Sequence, residues 1–293
     1  MMYYELFCNF VRKMAKDSIS YHEFWQPLTA VYDAGEARAV AQMVLEVQFG
    51  LTLADVLCGR MPGGEDLLQI QRRLLNGEPV QYVLGEAEFG NRRFKVSPSV
   101  LIPRPETYEL CQWIVSAMPA DWQGRVLDIG TGSGCIACTL AAELPQATVT
   151  AWDISEEALD VACENVSRTH VKVSFERVDA LNLAASARSE KWDVIVSNPP
   201  YICEQEKTAM ARNVLEHEPH KALFVPDGDP LLFYRAISDY AWHAMTPGGT
   251  LYFEINPIYH HELEMLLHDR GFTAVSSRED QFGKIRFTKA TRP

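Results

Sequence analysis

Two short segments constrain the fold of this chain more than any other part of it. Residues 126–129 are mostly apolar and run into a glycine-rich stretch at residues 130–134, and residues 194–197 are mostly apolar and run into Asn198-Pro199-Pro200-Tyr201. A strand that leads into a glycine loop and then a helix is typical of an open parallel sheet, whose ligand-binding loops follow the carboxyl ends of the strands. We therefore expect the two loops to meet at one edge of such a sheet.

From about residue 101 onward, strand and helix patterns alternate. The predicted strands are residues 125–129, 147–152, 171–178, 193–197 and 249–255, followed by a terminal hairpin over residues 273–277 and 284–288. The predicted helices between them are residues 134–143, 156–167, 230–245 and 260–270. This alternation predicts an α/β fold with a seven-stranded, mostly parallel, Rossmann-like sheet covered by helices on both faces.

The front of the chain predicts a small helical bundle instead of a sheet. Apolar residues recur at helical spacing in residues 36–49, 53–57 and 65–75, and Thr52 can cap the second of these helices. Helices this short are not stable alone, so they are expected to pack together. Such a bundle is consistent with two roles, support of the sheet and recognition of a partner.

Residues 79–100 differ from both neighbours and predict a β-hairpin linker. Residues 79–85 and 88–96 have the composition of strands, and Gly90-Asn91 supplies a turn. We place the domain boundary here. The expected parts are a helical domain at residues 1–78, the hairpin linker at residues 79–100 and the α/β domain at residues 101–293.

The overall charge and the cysteines restrict the class of protein. The 293 residues carry a formal net charge of −12 and a pI of about 5.2, which argues against direct binding to nucleic acid because that affinity depends on cationic side chains. No apolar run approaches the roughly 18 residues that span a bilayer, and residues 1–10 lack a basic leader region. The seven scattered cysteines then predict reduced thiols in a cytoplasmic protein. We expect a monomer without membrane contact.

The glycine loop has the spacing G-x-G-x-G. Glycines allow a sharp turn and let backbone N–H groups approach a ligand closely. A dinucleotide-binding fold is the obvious alternative, but its fingerprint is G-x-G-x-x-G, and Asp128 just upstream would repel a pyrophosphate. The candidate cofactor-binding residues of this segment are Asp128, Gly130, Thr131, Gly132, Ser133 and Gly134.

Further aspartates end the next two predicted strands. Asp153 is placed to accept hydrogen bonds from ribose hydroxyls, and Asp128 could hold an ammonium group directly or through water. S-adenosyl-L-methionine combines an ammonium and a ribose without a phosphate, so we expect it as the cofactor. Asp179 is placed for the adenine amino group and the N–H of Ala180 for a ring nitrogen. A simple turn or capping role for Asp179 is nearly as well supported.

Two other patterns resemble functional sites but favour structural roles. Cys135 and Cys138 have redox spacing, yet they lie in the helix after the glycine loop, where small residues pack against the sheet. The pair His260-His261 lacks further ligands at metal spacing, so we interpret it as the start of a helix and expect no metal site.

The segment Asn198-Pro199-Pro200-Tyr201 is the candidate catalytic and substrate-binding site, with Asn198 also near the cofactor. Its prolines fix φ and remove backbone donors, so the carbonyl of Pro199 and the side-chain carbonyl of Asn198 are available as acceptors. Two fixed acceptors suit a planar NH₂ group, and Tyr201 can stack on the plane of the substrate. An amide nitrogen is a poor nucleophile because its lone pair is delocalised, so orienting both N–H groups would favour its attack on a sulfonium methyl. A plain proline-rich turn is the minor alternative.

These residues resemble the class I methyltransferases that modify planar amino groups, with residues 198–201 as their fourth motif. Residues 101–110, Leu-Ile-Pro-Arg-Pro-Glu-Thr-Tyr-Glu-Leu, are similar to the Pro-Arg-Pro-Glu-Thr-Glu signature of the HemK/PrmC family, the release factor glutamine methyltransferases. Residues 79–89, 218–228 and 280–286 are also similar to segments of that family. The resemblance covers residues 70–290. The front of the chain resembles the family in its helical character more than in its residue identities.

The resemblance implies a substrate and roles for further residues. The methyl acceptor would be the glutamine of the Gly-Gly-Gln motif in class-I peptide chain release factors, in support of translation termination, with N5-methylglutamine and S-adenosyl-L-homocysteine as products. The helical front would recognise the release factor. Arg104 and Thr107 would lie near the cofactor, and Glu106 would be structural.

The chain departs from the family pattern at two places. Tyr108 replaces the second glutamate of the signature, and Asn256-Pro257 followed by His260-His261 replaces a glycine and a downstream glutamine. We expect neither departure to touch the catalytic loop.

Three alternative functions share the same motifs. The first is glutamine methylation of another protein, such as a ribosomal protein. The second is adenine-N6 methylation of a nucleic acid, which requires the base to be flipped into the pocket. The third is a non-catalytic binding protein with the same fold. The acidic charge and the lack of an evident target-recognition domain argue against the second, and the presence of both Asn198 and Asp153 argues against the third.

Overall fold

The computed structural model describes residues 19–183 and 191–293. These residues divide into two packed units, one formed by the part up to Gly85 with Ala211–His217 and the other by Glu86–Met210 with Glu218–Pro293. The predictions made for the segment before residue 19, a helical character and the lack of a leader, lie outside the described residues. In the part that the structure describes, no helix is long and apolar enough to cross a membrane.

The first unit is helical, as predicted for the front of the chain. Its elements up to Gly85 are α1 (Tyr21–Trp25), a 3₁₀ turn (Gln26–Ala30), α2 (Ala34–Phe49), α3 (Leu53–Leu57), α4 (Gly64–Leu75) and α5 (Val80–Leu84). Asp33 caps α2, and Thr52 caps α3 through the N–H of Asp55, as expected. The apolar faces of these helices form one core, which includes Phe24, Leu28, Val44, Leu67 and Leu74.

Helix α5 shows that the hairpin predicted for residues 79–85 is wrong. The backbone becomes helical after Pro79 and ends at Gly85, which has a φ of +73°. Val80 and Val83 then lie on one face of the helix and are buried in the helical core. Burial against this core outweighs the strand preference of the β-branched and aromatic residues in the segment.

The second unit carries the sheet. Its first half contains β1 (Glu86–Phe89), β2 (Arg92–Lys95), α6 (Pro105–Ser116), β3 (Arg125–Ile129), α7 (Cys135–Glu143), β4 (Thr148–Asp153), α8 (Glu156–Thr169) and β5 (Val173–Arg177). Its second half, with helix α9 of the first unit inserted, contains β6 (Trp192–Ser197), β7 (Ile202–Cys203), α9 (Arg212–His217), β8 (Phe224–Val225), α10 (Leu232–Ala244), β9 (Met245–Glu254), α11 (His260–Asp269), β10 (Thr273–Glu279) and β11 (Ile285–Thr291). The antiparallel pair β1–β2 confirms the later part of the predicted hairpin linker.

The central sheet has seven strands in the order β10-β11-β9-β6-β3-β4-β5. Strand β11 is antiparallel to both neighbours, whereas β9, β6, β3, β4 and β5 run parallel to one another. The predicted Rossmann-like sheet is therefore confirmed. The chain leaves β3 for β4 on one side and returns to β6 on the other, which makes the β3–β6 boundary the switch point where ligands bind in such sheets.

Helices cover both faces of the sheet. On one face, Leu127 and Ile129 pack with residues of α10 and α11, and on the other face Val126 packs with residues of α6 and α7. Because side chains alternate along a strand, Asp128 shares the face of Val126 and lies beneath α7. This placement buries Asp128 completely.

Candidate active site

The strand register places the four loops of the candidate site next to one another along the carboxyl edge of the sheet. Ile129 pairs with Trp152 on one side and Ser197 on the other, and Ser197 pairs with Phe253. The residues that follow these positions are therefore neighbours along the carboxyl edge of the sheet, in the order Glu254, Asn198, Gly130 and Asp153. The prediction that the two loops meet at one sheet edge is confirmed.

A cavity of about 680 Å³ opens at this edge. Its volume lies in the range of roughly 300–1,000 Å³ that is usual for small-molecule sites. Most of the predicted site residues line it: Arg104, Thr107, Gly130, Thr131, Gly132, Ser133, Asp153, Asp179, Ala180, Asn198, Pro199 and Pro200. The other candidates, Asp128, Gly134 and Tyr201, are not among the residues that line the cavity.

The glycine loop is held by residues that are close to it in the sheet. Gly130, Gly132 and Gly134 all have positive φ, a conformation that other residues rarely adopt. The N–H of Gly132 donates to the Asp153 carboxylate over 2.8 Å. A Cβ atom at Gly134 would lie only 3.0 Å from that of Ala162. The loop therefore turns tightly, with its N–H groups near the carboxylate at the end of β4.

Asp128 lies under this loop as a buried carboxyl group. Its Oδ2 accepts a hydrogen bond from the hydroxyl of Thr131 over 2.6 Å, and its Oδ1 has no hydrogen-bond partner among the described residues. Burial raises the pKa of Asp128 to about 7, and the nearby charge of Asp153 acts in the same direction. The group is suited to stabilise a positive charge brought close to it.

Asp179 makes the turn contact that was one of its two predicted roles. Its Oδ1 accepts the N–H of Leu181 over 2.9 Å, which is the bond of an Asx turn. Asp179 and Ala180 also line the cavity, between Val178 and Leu181. The turn contact and a ligand contact are compatible, because a carboxylate can accept several hydrogen bonds.

The side chain of Asn198 is part of a hydrogen-bonded chain. Its Nδ2 donates to the Thr107 hydroxyl over 3.2 Å, and that hydroxyl donates to Oε2 of Glu254 over 2.5 Å. Glu254 is 2% exposed at the end of β9. Burial raises the pKa of this carboxyl group, while the hydrogen bond from Thr107 and the charge of Arg286 oppose the change.

Tyr201 differs from its predicted stacking position. Its ring packs against the apolar core and its hydroxyl donates to Oε1 of Glu254 over 3.2 Å. Burial raises the pKa of the Tyr201 phenol, and the charge of Glu254 adds to the shift. In this structure Tyr201 therefore supports the catalytic loop from behind.

The expectation that Asn256 stays away from the catalytic loop is wrong. Asn256 Nδ2 donates to the backbone carbonyl of Tyr201 over 3.1 Å and also to the Glu206 carboxylate. The other departure, Tyr108, stacks edge-on against Phe89 with its ring over Gly90, where a Cβ atom would lie 2.3 Å from the ring. Asn256 thus ties down the end of the loop, and Tyr108 closes the hairpin.

Arg104 lies at the cavity with its guanidinium engaged. Its Nη2 lies 2.5 Å from Oε1 of Glu218, whose side chain is 1% exposed. Arginine–carboxylate pairs fix geometry when one partner is buried. Arg104 is thus fixed where it can border a ligand.

The cysteine pair and the histidine pair, which we interpreted as structural, lie in a buried helix and at the start of a helix. Cys135 and Cys138 are buried in the core, and burial raises the pKa of each thiol to about 12, which makes them poor nucleophiles at neutral pH. The described cysteines carry free thiols. His260 begins helix α11. Among residues 19–183 and 191–293, no group of three or more His, Cys, Asp or Glu side chains could hold a metal ion.

Sequence reasoning missed three buried polar residues at this site. Glu254, Glu218 and Asn256 each contact a residue of the site, and each is at most 5% exposed. For Glu254 a signal was available, because a carboxylate directly after a buried apolar strand is the pattern that singled out Asp153. Glu218 and Asn256 lie in irregular segments and have no comparable signal.

The sheet order, the glycine loop and the adjoining Asn-Pro-Pro-Tyr loop define a Rossmann-like methyltransferase. A family model described as "Methyltransferase small domain" matches residues 110–241. The chain is 44% identical over 272 residues to the release factor glutamine methyltransferase of Bacteroides thetaiotaomicron, covering 91% of this chain and 97% of that protein. It is 38% identical to the protein of the same name from Flavobacterium psychrophilum, covering 91% and 96%. The chain belongs to the release factor glutamine methyltransferase family.

A solved structure supports the fold independently. The 16S rRNA N2 G1207 methyltransferase of Thermus thermophilus, in complex with AdoMet and guanosine, is similar with a TM-score of 0.53 at 17% identity. The match covers 71% of this chain and 50% of that chain. At this identity the likeness concerns the fold alone.

Proposed function

We propose that the protein transfers a methyl group from S-adenosyl-L-methionine to the side-chain nitrogen N5 of the glutamine in the Gly-Gly-Gln motif of class-I peptide chain release factors. The observation that carries the proposal is the strand register, which sets the Asn198 loop beside the glycine loop on one cavity. The relatives from Bacteroides and Flavobacterium are both named release factor glutamine methyltransferase, which supports this choice of substrate.

Several side chains fit the cofactor. The Asp153 carboxylate lines the cavity, and each of its oxygens accepts one backbone hydrogen bond, from Gly132 or from Ser155. Each oxygen keeps capacity for a ribose hydroxyl. Oδ1 of Asp128, buried without a described partner beneath the loop, favours a nearby ammonium group. Asp179, Ala180, Arg104 and Asn198 complete the proposed contacts from the remaining walls.

The protein's part in the reaction is to hold and orient an amide nitrogen. S-adenosyl-L-methionine, when bound, supplies the electrophilic methyl group. Oδ1 of Asn198 and the carbonyl of Pro199 each accept one N–H of the glutamine amide, which holds the nitrogen toward the cofactor side of the cavity. These acceptors stabilise the positive charge that develops on the nitrogen as its bond to carbon forms and the carbon–sulfur bond breaks, and the nitrogen loses one proton to solvent after the transfer. The prolines hold the acceptors still, because their φ is restricted.

We assign recognition of the release factor to the helical unit. The interpretation rests on the separation of the chain into two units. One carries the proposed chemistry, and the other is built from helices in the part that the structure describes. A cytoplasmic monomer fits an enzyme that acts on soluble translation factors. Neither nucleic acid nor membrane is required for the reaction.

The test is methyl transfer from labelled S-adenosyl-L-methionine to a purified class-I release factor. The controls are the same factor with its motif changed to Gly-Gly-Ala, a ribosomal protein fraction and duplex DNA. Label on the intact factor that disappears in the variant is the expected result. Label on DNA alone, or on ribosomal protein alone, would replace the proposal with one of those activities.

A further inference from the structure

The acceptor role of Asn198 depends on which atom of its amide faces the substrate. An amide offers an oxygen that accepts and an NH₂ group that donates, and the two ends have nearly the same shape. If the NH₂ group faced the glutamine, two donors would oppose each other. Something in the protein must therefore select one of the two orientations.

The neighbours of Asn198 select the orientation of its amide through the hydroxyl of Thr107. A hydroxyl group has one proton to donate. The Thr107 hydroxyl lies 2.5 Å from Oε2 of Glu254, and an ionised carboxylate can only accept. The proton of Thr107 is thus committed to Glu254. The oxygen of Thr107 can then only accept from Asn198, so Nδ2 must face Thr107, as it does over 3.2 Å.

Glu254 is held in place for this role. It ends β9 beside β6, in the strand row that also carries Asn198. Its other oxygen accepts from the hydroxyl of Tyr201, and its backbone carbonyl accepts from the hydroxyl of Tyr234. The hydrogen bonds from Thr107 and Tyr201 and the charge of Arg286 favour the ionised form of this carboxyl group, while its burial raises the pKa and acts in the opposite direction. Thr107 is 3% exposed, so water has little access to compete for its hydroxyl.

We propose that Glu254 is the positioning residue of this enzyme, acting through Thr107 to hold the Asn198 amide with Oδ1 toward the substrate. Glu254 does not touch the reacting atoms in this arrangement. The role assigned to Thr107 also changes, from a cofactor contact to the link between Glu254 and Asn198. The inference rests on the proposed function for the identity of the substrate, but the hydrogen-bonded chain exists in the protein alone.

The first test observes the Asn198 side chain without any substrate. The full chain is prepared with isotope-labelled asparagine, and the NH₂ signal that disappears in Asn198→Ala is assigned to this residue by NMR. We expect this signal to be shielded from solvent exchange in the wild type. Thr107→Val, which removes the hydroxyl at nearly constant shape, should shift the signal and abolish its protection. Thr107→Ser, which keeps the hydroxyl, should restore both.

The second test measures methyl transfer with the same variants and with Glu254→Gln, in which one acceptor oxygen of the side chain is replaced by a donor. We expect kcat to fall about 10- to 100-fold for Thr107→Val and Glu254→Gln, because small misplacements of reacting groups cost about that much. The KM for the release factor and the affinity for S-adenosyl-L-homocysteine should change little. Thr107→Ser should recover most of the loss in kcat.

Two results would overturn the proposal. One is an Asn198 signal that keeps its position and protection in both Thr107→Val and Glu254→Gln. The other is a loss in Thr107→Val that appears in cofactor affinity and leaves kcat unchanged. If Glu254→Gln fails to fold, the Thr107→Val and Thr107→Ser pair still decides. If the wild type methylates no release factor, the proposed function fails, and the NMR result still reports on the hydrogen-bonded chain.

Discussion

The two loops at the carboxyl edge of the sheet are held in different ways. The glycine loop is held by backbone geometry and by neighbours in adjacent elements, with Asp153 accepting the N–H of Gly132 from only 21 residues away. The Asn198 loop is held by side chains that are distant in sequence. Thr107 is 91 residues before Asn198, and Asn256 is 55 residues after Tyr201.

This difference separates binding from catalysis. A loop held by its own backbone keeps its shape when distant side chains change, so cofactor binding should survive most changes around residue 198. A loop held by distant side chains depends on tertiary packing, so the acceptor geometry can be lost while the cofactor site stays intact. Variants that affect one function and spare the other therefore test the comparison.

The largest expected effect is on the Asn198 side. Asn198→Ala removes one of the two proposed acceptors, and we expect transfer to fall about 1,000-fold, the upper range for loss of one polar contact to a transition state. Binding of S-adenosyl-L-homocysteine, measured by calorimetry, should fall far less than transfer, because the other proposed cofactor contacts, in the glycine loop and at Asp153, do not depend on this side chain. Asn91→Ala, in the exposed hairpin turn, is the matched control. Equal losses in binding and transfer would contradict the separation of the two loops.

Asp153→Ala should weaken cofactor binding more than it affects the transfer step itself. It removes a carboxylate that accepts the N–H groups of Gly132 and Ser155 and faces the cavity. Hydrogen bonds to charged groups contribute about 1.5–3 kcal/mol, so cofactor affinity should fall about 10- to 100-fold. With saturating cofactor, kcat should recover most of its wild-type value. Asp160→Ala, on the exposed face of α8, serves as the control, and a loss confined to kcat would argue against the assignment.

A smaller effect is expected from Asn256, which anchors the end of the catalytic loop through the carbonyl of Tyr201. Asn256→Ala removes the hydrogen bond to the Tyr201 carbonyl, and kcat should fall about 2- to 10-fold, which corresponds to the net value of one hydrogen bond. Asn256→Asp keeps an oxygen to accept the N–H of Ile258 but places a second carboxylate beside Glu206. If the anchor matters, Asn256→Asp should lose at least as much activity as Asn256→Ala. An active Asn256→Asp would indicate that only the contact with Ile258 is needed.

Beneath the glycine loop, the expected effect is on stability. Burial raises the pKa of Asp128 from 3.8 to about 7, so the folded protein favours the protonated form. This contribution to stability is fully present below the unfolded pKa and is lost as the pH rises toward 7. In the cofactor-free protein, Asp128→Asn should therefore gain on the wild type by on the order of 10 °C in Tm between about pH 4 and pH 7, since a shift of about three pKa units corresponds to roughly 4 kcal/mol and one kcal/mol shifts Tm by about 2–4 °C. A difference in Tm that is constant across this range would contradict the pKa shift.

Local sequence patterns were sufficient to predict much of the structure around the glycine loop. The apolar strand, the positive-φ glycines and the aspartate at the end of the next strand are all recognisable from neighbouring residues, and the structure brings them together. The same approach failed for residues 79–85, where the composition of the segment favours a strand but burial of Val80 and Val83 in the helical core decides for a helix.

The Asn198 side was predictable only in part. The sequence alone determined that a rigid loop with two available acceptors follows a buried strand, because proline and asparagine carry those properties wherever they occur. It determined the alternating pattern of the sheet for a similar reason, since hydrophobic periodicity is a local property. Tertiary structure decided that Thr107, Glu254 and Asn256 reach this loop, that Tyr201 turns toward Glu254, and that Asp128 lies under α7. Hydrogen bonds between residues far apart in the chain depend on strand register and helix packing, and no short segment contains that information.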